Sequence, residues 1–101
     1  MPIMNLLEVV ETIDLLDLGD CLFARRPWSV SSDFIVHQLT EANEIPGDIA
    51  AAGVEYFLEV SVAIEVLALA RERAMPPGDA ARLLIYYAEN DAFPDWAYAE
   101  A

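Results

Sequence analysis

Lysine is absent from the 101 residues, and five arginines face 18 aspartates and glutamates, a formal charge of −13. Phosphate contacts need Lys and Arg, so this composition excludes a conventional nucleic-acid binder. Cysteine occurs once, at Cys21, which excludes an intrachain disulfide and a four-cysteine zinc site. It reads as a reduced core thiol in a reducing compartment. Glycine is sparse and scattered: Gly19, Gly47, Gly53 and Gly78 each stand beside a turn, and none builds a phosphate cradle. An uncharged apolar run is also missing. The most apolar stretch, 54–70, carries Glu55, Glu59 and Glu65 and is too short and too charged to cross a bilayer. Met1-Pro2-Ile3-Met4-Asn5 lacks the basic n-region and cleavable h-region of a signal peptide. A cytoplasmic protein with no membrane partner is the expectation.

What is present is apolar as well as acidic. Hydrophobic residues make up 56 % and the mean hydropathy is +0.33, which separates the chain from disordered acidic tails. The length predicts one domain, 1–101, with 95–101 as a tail. A folded surface of about 5,700 Å² would carry roughly one net negative charge per 440 Å². Such a surface strains the compact state and favours cationic partners.

Leu6–Leu16 reads as an amphipathic helix, with Leu6, Val9, Val10, Ile13 and Leu16 as its stripe and Asn5 with Glu8 as a capping box. Gly19 is its expected stop. Segments 21–25 and 34–39 read as a β-hairpin across a turn-rich loop. Pro46 to Ala52 predicts a short helix ended by Gly53, and 54–60 is β-branched and aromatic, a third strand. Helices follow over 61–74 and 79–90, separated by Pro76-Pro77-Gly78. The order predicts an α+β domain, a small antiparallel three-stranded sheet packed against about four helices.

Catalytic groups are few. His37 is the lone histidine, expected as a structural residue of the second strand, and Cys21 lies on the strand beside it. A thiolate nucleophile also needs a base and an oxyanion site, and the latter has no sequence signal. Glu89, Asp91 and Asp95 lie close enough for loose calcium binding but lack the central Gly and terminal Glu of an EF-hand loop. No catalytic, cofactor or metal residues are therefore assigned.

The layout of charge is the informative feature. Glu8, Glu11, Asp14, Asp17 and Asp20 recur every third residue, and no cation precedes Arg25. Like charges at i,i+3 or i,i+4 cost a few tenths of a kcal/mol each on a helix. Binding a basic surface would offset that cost; a solvated acidic face is the plain alternative. A second acidic set is Glu41, Glu44 and Asp48. The third is Glu89, Asp91, Asp95 and Glu100, interleaved with Phe93, Trp96 and Tyr98. Rings beside carboxylates supply anchor area and steering, though Trp96 and Tyr98 could equally fold onto the core. Arg25, Arg26, Arg71, Arg73 and Arg82 are too few for a basic patch and are expected to tether the acidic regions.

Three stretches carry a family resemblance: the 6–16 helix running into Leu18-Gly19-Asp20-Cys21-Leu22-Phe23, the strand Gly53-Val54-Glu55-Tyr56-Phe57-Leu58, and Leu83-Leu84-Ile85-Tyr86-Tyr87-Ala88-Glu89-Asn90-Asp91-Ala92-Phe93. Together they resemble the small acidic immunity proteins of bacterial polymorphic-toxin systems, including contact-dependent growth inhibition. The resemblance implies a role rather than a residue set: a cytoplasmic, non-enzymatic inhibitor that binds one cognate basic toxin domain, an RNase or DNase, and covers its substrate site. A DNA mimic or antitoxin-like module for basic nucleic-acid-binding proteins is the second reading. A small enzyme using Cys21 and His37 is the third.

Overall fold

The computed structural model describes residues 3–39, 41, 42 and 44–97. Its elements are β1 (Ile3–Asn5), α1 (Leu6–Thr12), a 3-10 turn (Ile13–Leu15), β2 (Cys21–Ala24), β3 (Asp33–His37), α2 (Gly47–Ala51), β4 (Glu55–Glu59), α3 (Val60–Glu72), α4 (Pro77–Asn90) and a second 3-10 turn (Asp95–Ala97). The class is α+β as expected, but the antiparallel sheet has four strands, in the order β1-β3-β2-β4. The additional strand, β1, is three residues long and runs straight into α1. Three residues carry too little alternation to be recognised as a strand. Within the described residues no helix is long and apolar enough to cross a membrane.

Asn5 serves both elements. It pairs with Asp33 in the sheet and caps α1: Glu8 N–H donates to Asn5 Oδ1 at 2.9 Å, and Asn5 N–H donates to Glu8 Oε1 at 3.2 Å. This is the capping box read from sequence. The α-helix nevertheless stops at Thr12, whose hydroxyl donates to the Glu8 carbonyl at 2.7 Å. The chain then tightens into the 3-10 turn and leaves it in extended geometry at Leu16. The expected helix over 6–16 is therefore shorter: Asp14 lies in the 3-10 turn, and Asp17 and Asp20 follow in the turn before β2.

The sheet buries both faces. Leu22, Ala24, Phe34, Val36 and Phe57 face the larger core with Leu6, Val9 and Ile13 and the apolar stripes of α3 and α4. Cys21 and Phe23 face the other way, onto Ile49 of α2 and the partly buried Ile35, Leu39, Ile45 and Val54. A bulge separates the pairs Leu22–Leu58 and Phe23–Tyr56. It turns both Phe57 and Leu58 into the larger core, breaking the alternation. Trp28 and Phe34 each meet Phe57 edge-on, with centroids 4.8 and 4.7 Å apart. The Trp28 indole donates to the Ala24 carbonyl at 3.1 Å.

Helix α3 ends in a Schellman motif. Met75 N–H donates to Ala70 O and Ala74 N–H to Arg71 O, at 2.9 and 3.0 Å, with Ala74 left-handed at φ 53°. Alanine has no side chain that supports this conformation, which glycine adopts freely. Ala74→Gly should stabilise the fold by about 1 kcal/mol, the left-handed penalty less the unfolded-state entropy of glycine. A higher urea midpoint at unchanged slope is the expected result.

Candidate partner-binding surface

None of the described charged residues is buried, so their carboxylates lie on the surface or at its margin. Their partners decide which remain available. Glu8 closes the capping box. Asp14 meets Arg71 of α3 at 2.8 Å, Glu55 meets Arg26 at 2.9 Å, and Asp79 pairs with Arg82 one turn along α4. Arg26 also lies over Trp28, 4.0 Å from the ring centroid. Arg25 spends its Nε and Nη2 donors on the Ala52 carbonyl, at 3.0 and 2.7 Å. Arg25, Arg26 and Arg71 thus tie elements together, Arg82 pairs within its own helix, and Glu11, Asp17, Asp20 and Glu59 are without a cationic partner among the described residues.

The turn between α1 and β2 is held by its own hydrogen bonds. Leu16 N–H donates to Ile13 O, and Asp20 N–H to Asp17 O at 3.0 Å. The Asp17 carboxylate accepts from Gly19 N–H at 2.8 Å. A Cβ on Gly19 would lie 3.3 Å from that same oxygen, a close approach that favours glycine. Finally, Val60 N–H donates to Asp20 O at 2.9 Å, fixing the turn to the start of α3.

This turn presents Leu15, 84 % exposed, and Leu18, 63 % exposed. One exposed leucine is ordinary on a protein surface. Two within four residues, flanked by Asp14, Asp17 and Asp20, have the composition of a docking surface. Sequence reading missed them; the available signal was that neither belongs to the Leu6–Leu16 stripe. Beside Leu18 opens a cavity of about 410 Å³ lined by Leu18, Gly19, Asp20, Cys21, Gln38, Leu39 and Glu59. It lies at one end of the sheet, where His37, Cys21 and Glu59 stand in register across β3, β2 and β4.

The three acidic sets expected from sequence do not make one face. Glu8, Glu11 and Asp14 belong to the α1 side, and Glu89 and Asp91 to the end of α4 on that same side of the sheet. Glu41, Glu44 and Asp48 are exposed on the opposite side, around α2. Asp91 is left-handed, with its N–H on Tyr87 O at 2.8 Å, and the Tyr87 and Phe93 rings pack with centroids 5.1 Å apart. Trp96 is 46 % exposed, but its neighbours around a second cavity of about 410 Å³ include Arg73, Arg82 and Met75. Tyr98 and Glu100 lie outside the described residues.

The geometry also bears on catalysis. Cys21 and His37 are cross-strand neighbours, but burial, followed by the Glu59 and Asp20 charges, pushes the Cys21 thiol up. A nucleophilic thiol needs the opposite shift. His37 Nδ1 is 2.8 Å from the Gln38 carbonyl, which it meets as a donor. No set of three or more metal-capable side chains converges among the described residues.

Comparison with protein-family models, with characterised proteins and with solved structures returned no match for this chain.

The thiol supplies a pH prediction. When burial raises the folded pKa of an acid above its unfolded value, stability is level below the unfolded pKa and is lost as pH rises from there through the folded one, because the unfolded chain gives up its proton first. Stability should therefore be unaffected by Cys21 at neutral pH and decline above the thiol's ordinary 9.0. Tyr56, pushed up by burial and then by Glu59, extends the decline further into alkali. Urea titrations of wild type and Cys21→Ala across this range should show the shallower alkaline slope in the variant.

Proposed function

We propose that this protein is a cytoplasmic immunity-type inhibitor that binds one basic toxin domain, a nuclease, and neutralises it by covering its nucleic-acid-binding or active site. It acts by binding, with no catalytic step of its own. The carrying observation is the turn after α1, where exposed Leu15 and Leu18 stand beside Asp17 and Asp20, which no arginine neutralises among the described residues. The resemblance of the 6–23 and 83–93 stretches to acidic immunity proteins supports the same reading.

The physics of such an encounter divides between charge and apolar area. A net charge of −13 attracts a cationic nuclease over a Debye length of about 8–10 Å in ordinary buffers. Steering of this kind raises the on-rate and falls with salt. Leucine side chains then hold the complex, each contributing up to about 1.5–3 kcal/mol when fully buried. The phosphate groove of a nuclease offers the cations that this chain lacks.

The test is kinetic. The protein, mixed with the toxin domain encoded beside it, should associate at a rate that falls steeply with added salt. Glu11→Lys should lower that rate by about threefold to tenfold at low salt while leaving the urea midpoint unchanged, because Glu11 is exposed and makes no ion pair among the described residues. Absence of a complex by calorimetry at low salt would refute the reading. Comparable binding to several unrelated basic DNA-binding proteins would replace it with the DNA-mimic reading.

A further inference from the structure

Beside the exposed leucines, the cavity at the end of the sheet combines features that a purely acidic surface does not have. Its volume is about 410 Å³, and Leu18 and Leu39 give it apolar walls. Asp20 and Glu59 supply two carboxylates from different elements, the turn before β2 and the last residue of β4. Gln38 adds a polar residue to the lining, and Cys21 beside it is only 3 % exposed. Neither carboxylate meets an arginine among the described residues. The nearest polar partner of Glu59 is the Ser61 hydroxyl, at a long 3.5 Å.

We propose that this cavity receives a single arginine side chain of the protein partner, its guanidinium between Asp20 and Glu59 and its methylene stem against Leu18 and Leu39. The proposal rests on the inhibitor reading above and names the group the surface recognises. Arginine fits for two reasons. Its planar fork engages carboxylates from several directions, which an ammonium does as a point charge only. Its stem covers apolar surface while the head remains polar. The Cys21 thiol on the same lining is pushed up first by burial and then by the charges of Glu59 and Asp20, so the negative field of both residues reaches this cavity. Leu18 lines the cavity and is itself exposed, so a partner with an arginine flanked by apolar residues meets cavity and leucine together.

The probe is N-acetyl-arginine-amide, with N-acetyl-citrulline-amide as its uncharged counterpart, followed by amide chemical shifts. The arginine probe should shift Gly19, Cys21, Gln38 and Glu59 saturably, with a dissociation constant in the millimolar range or roughly −4 kcal/mol. The citrulline probe should leave them in place. The double variant Asp20→Asn, Glu59→Gln keeps the backbone bond from Val60 to Asp20 and should bind the arginine probe about tenfold more weakly. Shifts spread over all acidic residues, or equal binding by the double variant, would overturn the cavity assignment. They would leave the inhibitor reading standing, since that is decided by the toxin domain. Conversely, a localised arginine response with no toxin complex would sink the inhibitor reading alone. Wild type and double variant should sediment alike; a dimer lost only in the variant would make a second copy the occupant and refute the proposal.

Discussion

The burial of β2 on both faces is the constraint from which the rest of the structure follows. All four of its residues, Cys21–Ala24, are buried, and it bonds to β3 on one side and β4 on the other. A strand apolar on alternate faces needs cover on each. Helices α1, α3 and α4 supply it over Leu22 and Ala24, and α2 with the residues around it supplies it over Cys21 and Phe23. The bulge in β4 increases the first core at the expense of regular pairing, placing Phe57 between Trp28 and Phe34. Aromatic contacts of that geometry add roughly 0.5–1.5 kcal/mol each beyond the area they bury.

With so much of the chain committed to two apolar layers, charge is pushed outward, and the arginines become the scarce component. Three of the five hold elements together. Arg71 joins α3 to the exit of α1, Arg26 joins the loop after β2 to β4 while covering Trp28, and Arg25 holds the Ala52 carbonyl beside left-handed Gly53. Exposed ion pairs of this kind are worth about 0–1 kcal/mol, so they orient elements more than they stabilise the fold. Each also removes a carboxylate from the set available to a partner. The acidic surface is selective where composition alone made it appear uniform: Asp14, Glu55 and Asp79 are spoken for, and Asp17, Asp20 and Glu59 are not.

Much of the fold was legible because local chemistry agreed with the tertiary outcome. The Asn5–Glu8 box, the hairpin of β2 and β3, the short helix ended by Gly53 at φ 77° and the break at Pro76-Pro77-Gly78 each have a mechanism visible in a few residues. What escaped was decided by context. β1 is too short to show a period. The three-residue spacing of carboxylates continues past Thr12 although the α-helix does not, so spacing alone could not show that Asp14 falls in a 3-10 turn and no longer on the α-helix of Glu8 and Glu11. The candidate site was less legible again. Asp20 and Glu59 are 39 positions apart in sequence, and only the pairing of Cys21 with Glu59 across the sheet brings them to one cavity. Leu15 and Leu18 looked like two more apolar residues near a helix end.

Rigidity gives that turn its interest as a docking element. An exposed loop that orders on binding loses part of its contact energy to conformational entropy, about 1–2 kcal/mol per backbone residue fixed. Here the ordering is done by folding. Leu16, Gly19 and Asp20 each donate their N–H to a neighbour in the turn, and the Asp20 carbonyl takes the first N–H of α3. The leucines are thus held outward by the same hydrogen bonds that carry the chain from α1 into β2, the strand on which both cores depend. A partner that buried them would gain apolar contact at little ordering cost, and under the inhibitor reading proposed above Asp17 and Asp20 would favour a basic one over an acidic one.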